Sequence, residues 1–203
     1  MTFTPMKDLK GYMTPEQCRK VVESADTGRD RTLLQLLWRT GARISEVLGL
    51  TVDNFVYSER ILVIRTLKRR KKKGKEVIKM RRIPIDQETA DILHDYIKKN
   101  GLKEGIVFVG SGKLGHITRQ TAWYIVRKCG KKCGIEKVGD KGIHPHHMRH
   151  SYAVEWIKTY GEKEIRKLQM ILGHSSVTTT YEYLQFGPFE LRDKFDGMVR
   201  EEE

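Results

Sequence analysis

Five residues that lie far apart in the sequence share one chemistry. Arg43 lies in the segment TGARISE, His146 and Arg149 lie in HPHHMRHS, and His174 lies in LGHSSVTTT, with Tyr183 nine positions after it. A guanidinium presents a planar, permanently charged group that matches phosphate oxygens, and a tyrosine hydroxyl can act as a nucleophile that stays attached to its product. These residue types suit a phosphodiester better than a carbonyl or a sugar. The sequence therefore predicts phosphoryl transfer through a covalent tyrosine intermediate.

The charge of the chain indicates a polyanionic partner. Its 203 residues include 39 Lys and Arg against 26 Asp and Glu, which gives a net charge of +13. Basic proteins bind polyanions through counterion release and electrostatic steering, so the charge favours a nucleic acid. Together with the phosphodiester chemistry above, this charge makes double-stranded DNA the expected partner. The alternative is a protein whose charged faces are simply solvated, because net charge says nothing about fold.

Apolar runs and cysteines indicate a cytoplasmic location without membrane contact. No stretch approaches the ~18 apolar residues of a membrane span, and the first residues lack the apolar core of a signal peptide. The three cysteines are an odd number, which argues against a disulfide framework. Cys129 and Cys133 lie four positions apart, but no further Cys or His follows at zinc spacing.

Four histidines between residues 144 and 150 raise the question of a metal site. His146 and Arg149 are three positions apart and share one helix face, where the fixed charge of Arg149 would repel a divalent ion. His147 and His150 point away from that face, and we expect them to cap the helix, pack or face solvent. We expect no metal ion and no other cofactor.

Local patterns predict a mainly α-helical fold with one small antiparallel β-sheet. Thr14, Pro15 and Gln17 supply a helix N-cap, a proline at the first helical position and a capping-box partner. Gly41 suits the residue after a helix, where φ is positive. The segment 106–109 is either a third strand or core. Helices are predicted over residues 15–25, 30–40, 44–49, 86–99, 118–133, 146–158, 163–172 and 177–184, and strands over 61–64 and 77–85.

The two predicted strands form a long hairpin with a strongly basic tip. From Arg65 to Arg82 the tip contains 11 Lys or Arg and a single acid, Glu76. In water such a segment should repel itself and stay mobile, and we expect it to become ordered in a DNA groove. The predicted phosphate contacts are Arg69, Arg70, Lys71, Lys72, Lys73 and Lys75.

The combined motifs resemble the tyrosine recombinase family, which includes phage integrases and Xer-type resolvases. GARISE resembles the family's first arginine motif, His146 and Arg149 fit its H-x-x-R motif, and His174 fits its LGH motif. The family's nucleophile follows that motif by nine residues, which selects Tyr183 over Tyr181. The resemblance spans about residues 13 to 185, with order and spacing preserved.

The resemblance implies a fold, a mechanism and an assembly. The expected fold is the tyrosine recombinase catalytic domain, and the expected intermediate is a 3′-phosphotyrosine formed during cleavage and rejoining of DNA strands. A hairpin lysine serves the family as general acid; Lys68 fits best and Lys75 is the second choice. Family members act as tetramers on DNA, whereas the free protein is expected to be a monomer.

The resemblance also predicts the organisation of the chain. We expect residues 1–12 to be a lead-in or linker, residues 13–186 the catalytic domain, and residues 187–203 a C-terminal tail or helix. That tail either docks on a neighbouring protomer or is a frayed acidic end. The family's separate N-terminal core-binding domain has no counterpart here, which fits either a minimal recombinase or a catalytic fragment.

Two other functions are compatible with these residues. A type IB topoisomerase uses the same tyrosine chemistry but relaxes a single duplex without strand exchange. A non-catalytic DNA-binding module of the same family would keep the basic surface alone. The filled motif positions argue against the non-catalytic module, whereas DNA relaxation without strand exchange would indicate the topoisomerase.

Overall fold

Helices make up most of the fold, with two small antiparallel sheets. The computed structural model describes residues 11–72, 75–110, 115–174, 176–181 and 183. The helices are α1 (Pro15–Glu23), α2 (Gly28–Thr40), α3 (Ile44–Leu48), α4 (Gln87–Lys99), α5 (Arg119–Lys132), α6 (Pro145–Tyr160), α7 (Ile165–Leu172) and α8 (Thr178–Tyr181). The strands are β1 (Phe55–Val56), β2 (Ile61–Lys72), β3 (Lys75–Pro84), β4 (Lys137–Val138) and β5 (Lys141–Gly142). The predicted fold class is confirmed.

The helix ends follow from local chemistry that the sequence already displayed. Thr14 accepts a hydrogen bond from the backbone N–H of Gln17, and the Gln17 side chain accepts one from Thr14 in return. Helix α2 begins two residues earlier than predicted, because Thr27 caps it through the backbone N–H of Asp30. Gly41 ends α2 with φ of 57°, in the left-handed region as predicted.

The main sheet has the order β1-β2-β3, and all its strands are antiparallel. Strand β2 is much longer than predicted, since it continues to Lys72, whereas β3 begins two residues before the predicted start, at Lys75, and ends at Pro84. The regular register is interrupted between Thr66 and Arg70. The prediction that the first strand ends at residue 64 was wrong, because ladder hydrogen bonds outweigh the poor strand propensity of a basic run.

The segment 106–109 is not a strand of the main sheet. Ile106 forms an isolated bridge with Thr51, and Val109 forms one with His116. The third strand is β1 instead, and the short pair β4 and β5 was not predicted. Two-residue strands leave almost no pattern of alternating hydrophobicity, so the sequence offered no signal for them.

Helix α2 forms the centre of the larger hydrophobic core. Its apolar residues, Leu33, Leu34, Leu36, Leu37 and Trp38, are all at most 3 % exposed. A smaller cluster joins α6 and α7 through Ala153, Ile157, Leu168 and Leu172, and Tyr183 packs against it. The main core and this cluster meet where α2, α3, α6 and α7 come together, and the candidate site lies there.

Some predictions concern parts of the chain outside the described residues. The lead-in before residue 11, the end of the last predicted helix at residue 184, and the tail after Pro188 all belong to this group. Among the described residues, none of the helices is both long and apolar enough to cross a membrane.

Candidate active site

Arg149 connects three distant segments of the chain. It lies in α6 and is only 5 % exposed. One terminal nitrogen donates to the carbonyl oxygen of Gly41 at 2.6 Å, and the other donates to the carbonyl oxygen of Leu172 at 3.0 Å. The second nitrogen also lies 2.7 Å from Nε2 of His174. Burial, followed by the charge of Arg43, lowers the pKa of Arg149 to about 10, so the guanidinium stays charged at neutral pH.

Arg43 lies in the turn between α2 and α3 and is the N-cap residue of α3. Its backbone N–H donates to Oε2 of Glu46 at 2.9 Å, and its guanidinium donates to Oε1 at 3.0 Å. The Arg43 side chain is 32 % exposed, whereas the Glu46 side chain is fully buried. The buried carboxylate of Glu46 therefore orients the Arg43 guanidinium, and part of the Arg43 side chain remains accessible to solvent.

Glu46 is bound by a second arginine that the sequence analysis did not identify. Arg81, on β3, donates to Oε2 of Glu46 at 2.6 Å and to Oε1 at 3.2 Å. Burial opposes ionisation of Glu46, but the hydrogen bonds and charges of Arg81 and Arg43 outweigh it and lower the pKa of this carboxyl. Glu46 is thus an anion beneath the candidate site. In the sequence, Glu46 was only the last residue of the GARISE motif, and Arg81 was one basic residue among eleven.

His174 follows Gly173, which ends α7 with φ of 66°. Its Nε2 lies 2.7 Å from an Arg149 nitrogen, which can only donate, so Nε2 must accept. The proton then resides on Nδ1, which donates to the buried hydroxyl of Thr180 at 2.9 Å. Burial first, and then the charges of Arg149, Arg43 and Arg81, lower the pKa of His174 to about 4. His174 is therefore a neutral imidazole with a defined tautomer.

His146 lies in the first turn of α6, one turn before Arg149. Burial, followed by the charges of Arg149, Arg119 and Arg43, lowers its pKa. It lines an open cleft together with Arg119 and Trp123 of α5. His146 therefore lies in the positive field of Arg149 and Arg43. The influence of Arg149 is expected, because the two residues share one face of α6.

The neighbouring histidines serve the structure of α6. His147 is buried, and its Nδ1 accepts a hydrogen bond from the backbone N–H of His144 at 3.2 Å. The His144 and His147 rings stack with centroids 3.9 Å apart. Of the three alternatives expected for His147, the structure shows capping and packing and not exposure to solvent. Among the described residues, no cluster of three or more His, Cys, Asp or Glu could hold a metal ion.

Tyr183 lies beside the histidine of the site. Its ring centroid is 6.3 Å from that of His174, with nearly parallel planes, and 5.0 Å from that of His150. Tyr183 is half-buried against the cluster between α6 and α7. Tyr181, by contrast, is 48 % exposed. The tyrosine selected from the motif spacing is thus the one that adjoins His174 and Arg149.

The predicted DNA-contacting residues lie along the hairpin strands. Arg69, Arg70, Lys71 and Lys72 belong to β2 together with Lys68, and Lys75 begins β3, where it pairs with Lys72. The side chains of these residues, and the whole of Lys73, lie outside the part of the chain that the structure describes. Their roles, including that of Lys68 as general acid, stay predictions.

Known proteins resemble this chain over nearly its whole length. The sequence model of the phage integrase family matches residues 11–187. The tyrosine recombinase XerD of Mycobacterium tuberculosis (strain CDC 1551 / Oshkosh) is 30 % identical over 210 residues, covering 96 % of this chain and 62 % of that protein. This chain therefore spans less than two thirds of the length of that relative.

Solved structures share the fold. The crystal structure of the XerA recombinase superposes with a TM-score of 0.75 at 25 % identity, over 98 % of this chain and 65 % of that one. The catalytic domain of bacteriophage HP1 integrase gives a TM-score of 0.61 at 24 % identity, over 91 % of this chain and 93 % of that domain. With the motifs, the site geometry and these matches in agreement, the chain belongs to the phage integrase family and has the fold of a tyrosine recombinase catalytic domain.

Proposed function

We propose that this chain cleaves and rejoins DNA strands as the catalytic part of a site-specific recombinase. The observation that carries the proposal is the position of Arg149, whose guanidinium joins the segment before Arg43, the end of α7 and His174. Tyr183 lies beside this group. Two guanidiniums, two imidazoles and one phenol around a single point suit one phosphate of a DNA backbone.

The proposed reaction begins with the phosphate between the two arginines. Arg43 and Arg149 bind its non-bridging oxygens and stabilise the extra negative charge of the pentacovalent transition state. His146 and His174 complete this environment by hydrogen bonding, and His146 accepts the phenolic proton. The Tyr183 oxygen attacks phosphorus, and the bond from phosphorus to the 5′ oxygen breaks. Lys68 supplies the proton that turns this oxygen into a 5′ hydroxyl.

Rejoining reverses these steps with a 5′ hydroxyl from another strand. That hydroxyl attacks the phosphotyrosine, a new phosphodiester forms and Tyr183 is released. Because the energy of the phosphodiester is conserved in the covalent link, ligation requires no ATP. The basic hairpin would hold the duplex by neutralising phosphates, with the salt dependence typical of such contacts. On DNA we propose a tetramer, with residues 187–203 contacting a neighbouring protomer.

The two tyrosines allow a matched test of the nucleophile. The protein is incubated with a nicked suicide substrate, whose short cleaved fragment diffuses away and traps the covalent complex. Wild-type protein and Tyr181→Phe should both give an adduct that survives denaturing electrophoresis, whereas Tyr183→Phe should give none. DNA affinity of Tyr183→Phe should stay within about threefold, because phosphate contacts from basic residues dominate binding. An equal adduct yield from Tyr183→Phe would contradict the proposal.

A further inference from the structure

Arg81 makes more polar contacts inside the protein than its place in a basic hairpin suggests. Its side chain is only 8 % exposed, and its guanidinium reaches three separate segments. It binds both carboxylate oxygens of Glu46, donates to the hydroxyl of Thr66 at 2.9 Å, and donates through Nε to the carbonyl oxygen of Ile171 at 2.8 Å. A buried guanidinium that makes these four hydrogen bonds is not available as a DNA phosphate contact.

We propose that Arg81 is a positioning residue for strand cleavage. It holds Arg43, the base of the hairpin and the turn before His174 in fixed positions relative to one another. This inference rests on the proposed function, since it assigns Arg81 a part in that reaction. Arg81 acts through its neighbours and does not touch the phosphate.

The first link runs through Glu46 to Arg43. Glu46 is a buried carboxylate shared by two arginines, so the group carries a net charge of +1. Without Arg81, the carboxylate would pair with Arg43 alone, and that pair would be neutral. A neutral pair attracts a phosphate far less than a free guanidinium does, and it would draw Arg43 down toward Glu46. Arg81 thereby leaves the charge of Arg43 available for the substrate.

The second link runs to the end of α7. Arg81 binds the carbonyl oxygen of Ile171, and Arg149 binds that of Leu172, the next residue. Two cations thus satisfy two successive carbonyls at the helix C-terminus, where positive charge is favourable. A Cβ atom built on Gly173 would lie 3.1 Å from the Arg81 guanidinium, which shows how closely Arg81 packs against this turn. His174 is the residue that this turn presents to the site.

The third link runs to the hairpin. Thr66 accepts from Arg81 across the β2–β3 ladder, and the register irregularity begins directly after Thr66. Lys68, the proposed general acid, lies two residues further along β2. The contact with Thr66 therefore fixes the part of the hairpin before the register irregularity relative to Glu46 and α7.

Cleavage kinetics separate positioning from DNA binding. The single-turnover rate of adduct formation is measured at saturating suicide substrate, together with the apparent Kd, for Arg81→Gln, Arg81→Lys and the control Arg19→Gln. Arg19 is an exposed α1 residue whose ion pair is with Glu88 of α4, so its loss removes one surface charge that is not paired with Glu46. We expect Arg81→Gln to reduce the rate roughly 10- to 100-fold, which corresponds to about 1.4 to 2.7 kcal/mol in the barrier. Its Kd should change less than threefold, and the control should stay within twofold in both measures.

The titration of the His174 ring, followed by NMR in the DNA-free protein, gives a second readout. His174 faces Arg149, Arg43, Arg81 and Glu46, and Arg81 is one of the charges that lower its pKa. Arg81→Gln should therefore raise the pKa of His174. Arg81→Lys keeps the charge and should leave this pKa near the wild-type value, while the loss of the paired hydrogen bonds still slows cleavage at least fivefold.

The outcomes distinguish this inference from the proposed function. A wild-type protein that forms no adduct would contradict the function, and the His174 titration would still decide whether Arg81 acts on the site. Wild-type rates in a folded Arg81→Gln variant, or an unchanged His174 titration, would overturn the inference. If Arg81→Gln does not fold, Arg81→Lys decides, since a wild-type cleavage rate in that variant overturns the inference equally.

Discussion

Individual side chains in the candidate site restrict one another before any substrate binds. Arg149 can only donate, so its contact with His174 makes Nε2 an acceptor and assigns the proton to Nδ1. The hydroxyl oxygen of Thr180 accepts a hydrogen bond from this Nδ1–H at 2.9 Å. Thr180 is fully buried in α8, the short helix before Tyr183. Thr180 therefore links the orientation of His174 to the segment that carries the proposed nucleophile.

Removal of the Thr180 hydroxyl tests this link at the residue scale. Thr180→Val keeps the size and the β-branch of the side chain but leaves the Nδ1 proton of His174 without its acceptor. A net hydrogen bond contributes about 0.5–1.5 kcal/mol, so cleavage at saturating DNA should slow by about 2- to 10-fold. Because Arg149 still donates to Nε2, the ¹⁵N shifts of the His174 ring should still report the Nδ1–H tautomer, and the Nδ1 signal should move because its hydrogen bond to Thr180 is lost. Thr179→Val, at an exposed position of the same helix, is the control and should match wild type in both measurements.

At the scale of the elements, the site is assembled from helix ends. Arg43 follows α2, His174 follows α7, and both turns contain a glycine with positive φ, Gly41 and Gly173. At Gly41 an added Cβ would lie 2.5 Å from the Tyr152 ring and 2.8 Å from a Leu172 methyl group. The carbonyl of Gly41 also accepts from Arg149. A glycine is needed at position 41 because the backbone φ is positive there and because side chains of α6 and α7 pack directly against this residue.

Two alanine substitutions separate these two requirements. Gly101, after α4, has φ of 62° and no atom within 4 Å of an added Cβ, so Gly101→Ala should cost only about 1 kcal/mol, the cost of left-handed φ. Gly41→Ala adds a steric clash that typically costs about 1–3 kcal/mol, for a total of about 3 kcal/mol. Urea-induced unfolding measures the loss in the free energy of unfolding for each substitution, provided that the variants and the wild type have equal m-values. Equal destabilisation by the two substitutions would show that close packing at Gly41 is unimportant.

At the scale of the whole molecule, the chain combines a large positive charge with a group of neutral, partly buried histidines. Most of the net charge of +13 comes from the hairpin. Three charged residues, Arg149, Glu46 and the hairpin residue Arg81, have side chains buried inside the protein. Burial lowers the pKa of both His147 and His174 to about 4. It also lowers the pKa of His144, His146 and His150. The fold thus favours the uncharged form of these five histidines in a cationic environment.

This arrangement predicts a loss of stability in mild acid. An unfolded histidine has a pKa near 6.5, so between pH 6.5 and 4.5 the unfolded chain binds more protons than the folded protein. Stability should be complete above pH 6.5 and should fall as pH decreases toward 4.5. The slope from each histidine is at most about 1.4 kcal/mol per pH unit, and solvent screening reduces it at these half-buried sites. Histidines dominate the upper part of this window, whereas toward pH 4.5 the carboxyl groups of Glu46 and Asp86, whose pKa is lowered in the folded protein, add to the loss of stability.

Urea unfolding at pH 7.5, 6.5, 5.5 and 4.5 measures this dependence. His147→Gln should reduce the slope below pH 6.5, because a Gln oxygen can still accept the backbone N–H of His144 but does not titrate. A free energy of unfolding that is constant from pH 7.5 to 4.5 would contradict the prediction.

The sequence by itself determined the features that depend on neighbouring residues. Capping residues and glycines located the helix ends, the three-residue spacing placed His146 and Arg149 on one helix face, and composition gave the charge. Motif spacing selected Tyr183 over Tyr181. All of these follow from helix periodicity, backbone conformation or order along the chain, which are readable from local sequence.

Only the tertiary structure decided which of many similar residues enter the site. Arg81 and Glu46 are 35 positions apart, and Arg149 and Gly41 are 108 positions apart, so no local pattern relates them. Eleven basic residues of the hairpin look alike in sequence, yet β-ladder pairing and the packing of β3 against α7 bury Arg81. Burial decides whether a charge binds solvent, DNA or another side chain, and burial is a property of the packed chain that composition and spacing do not contain.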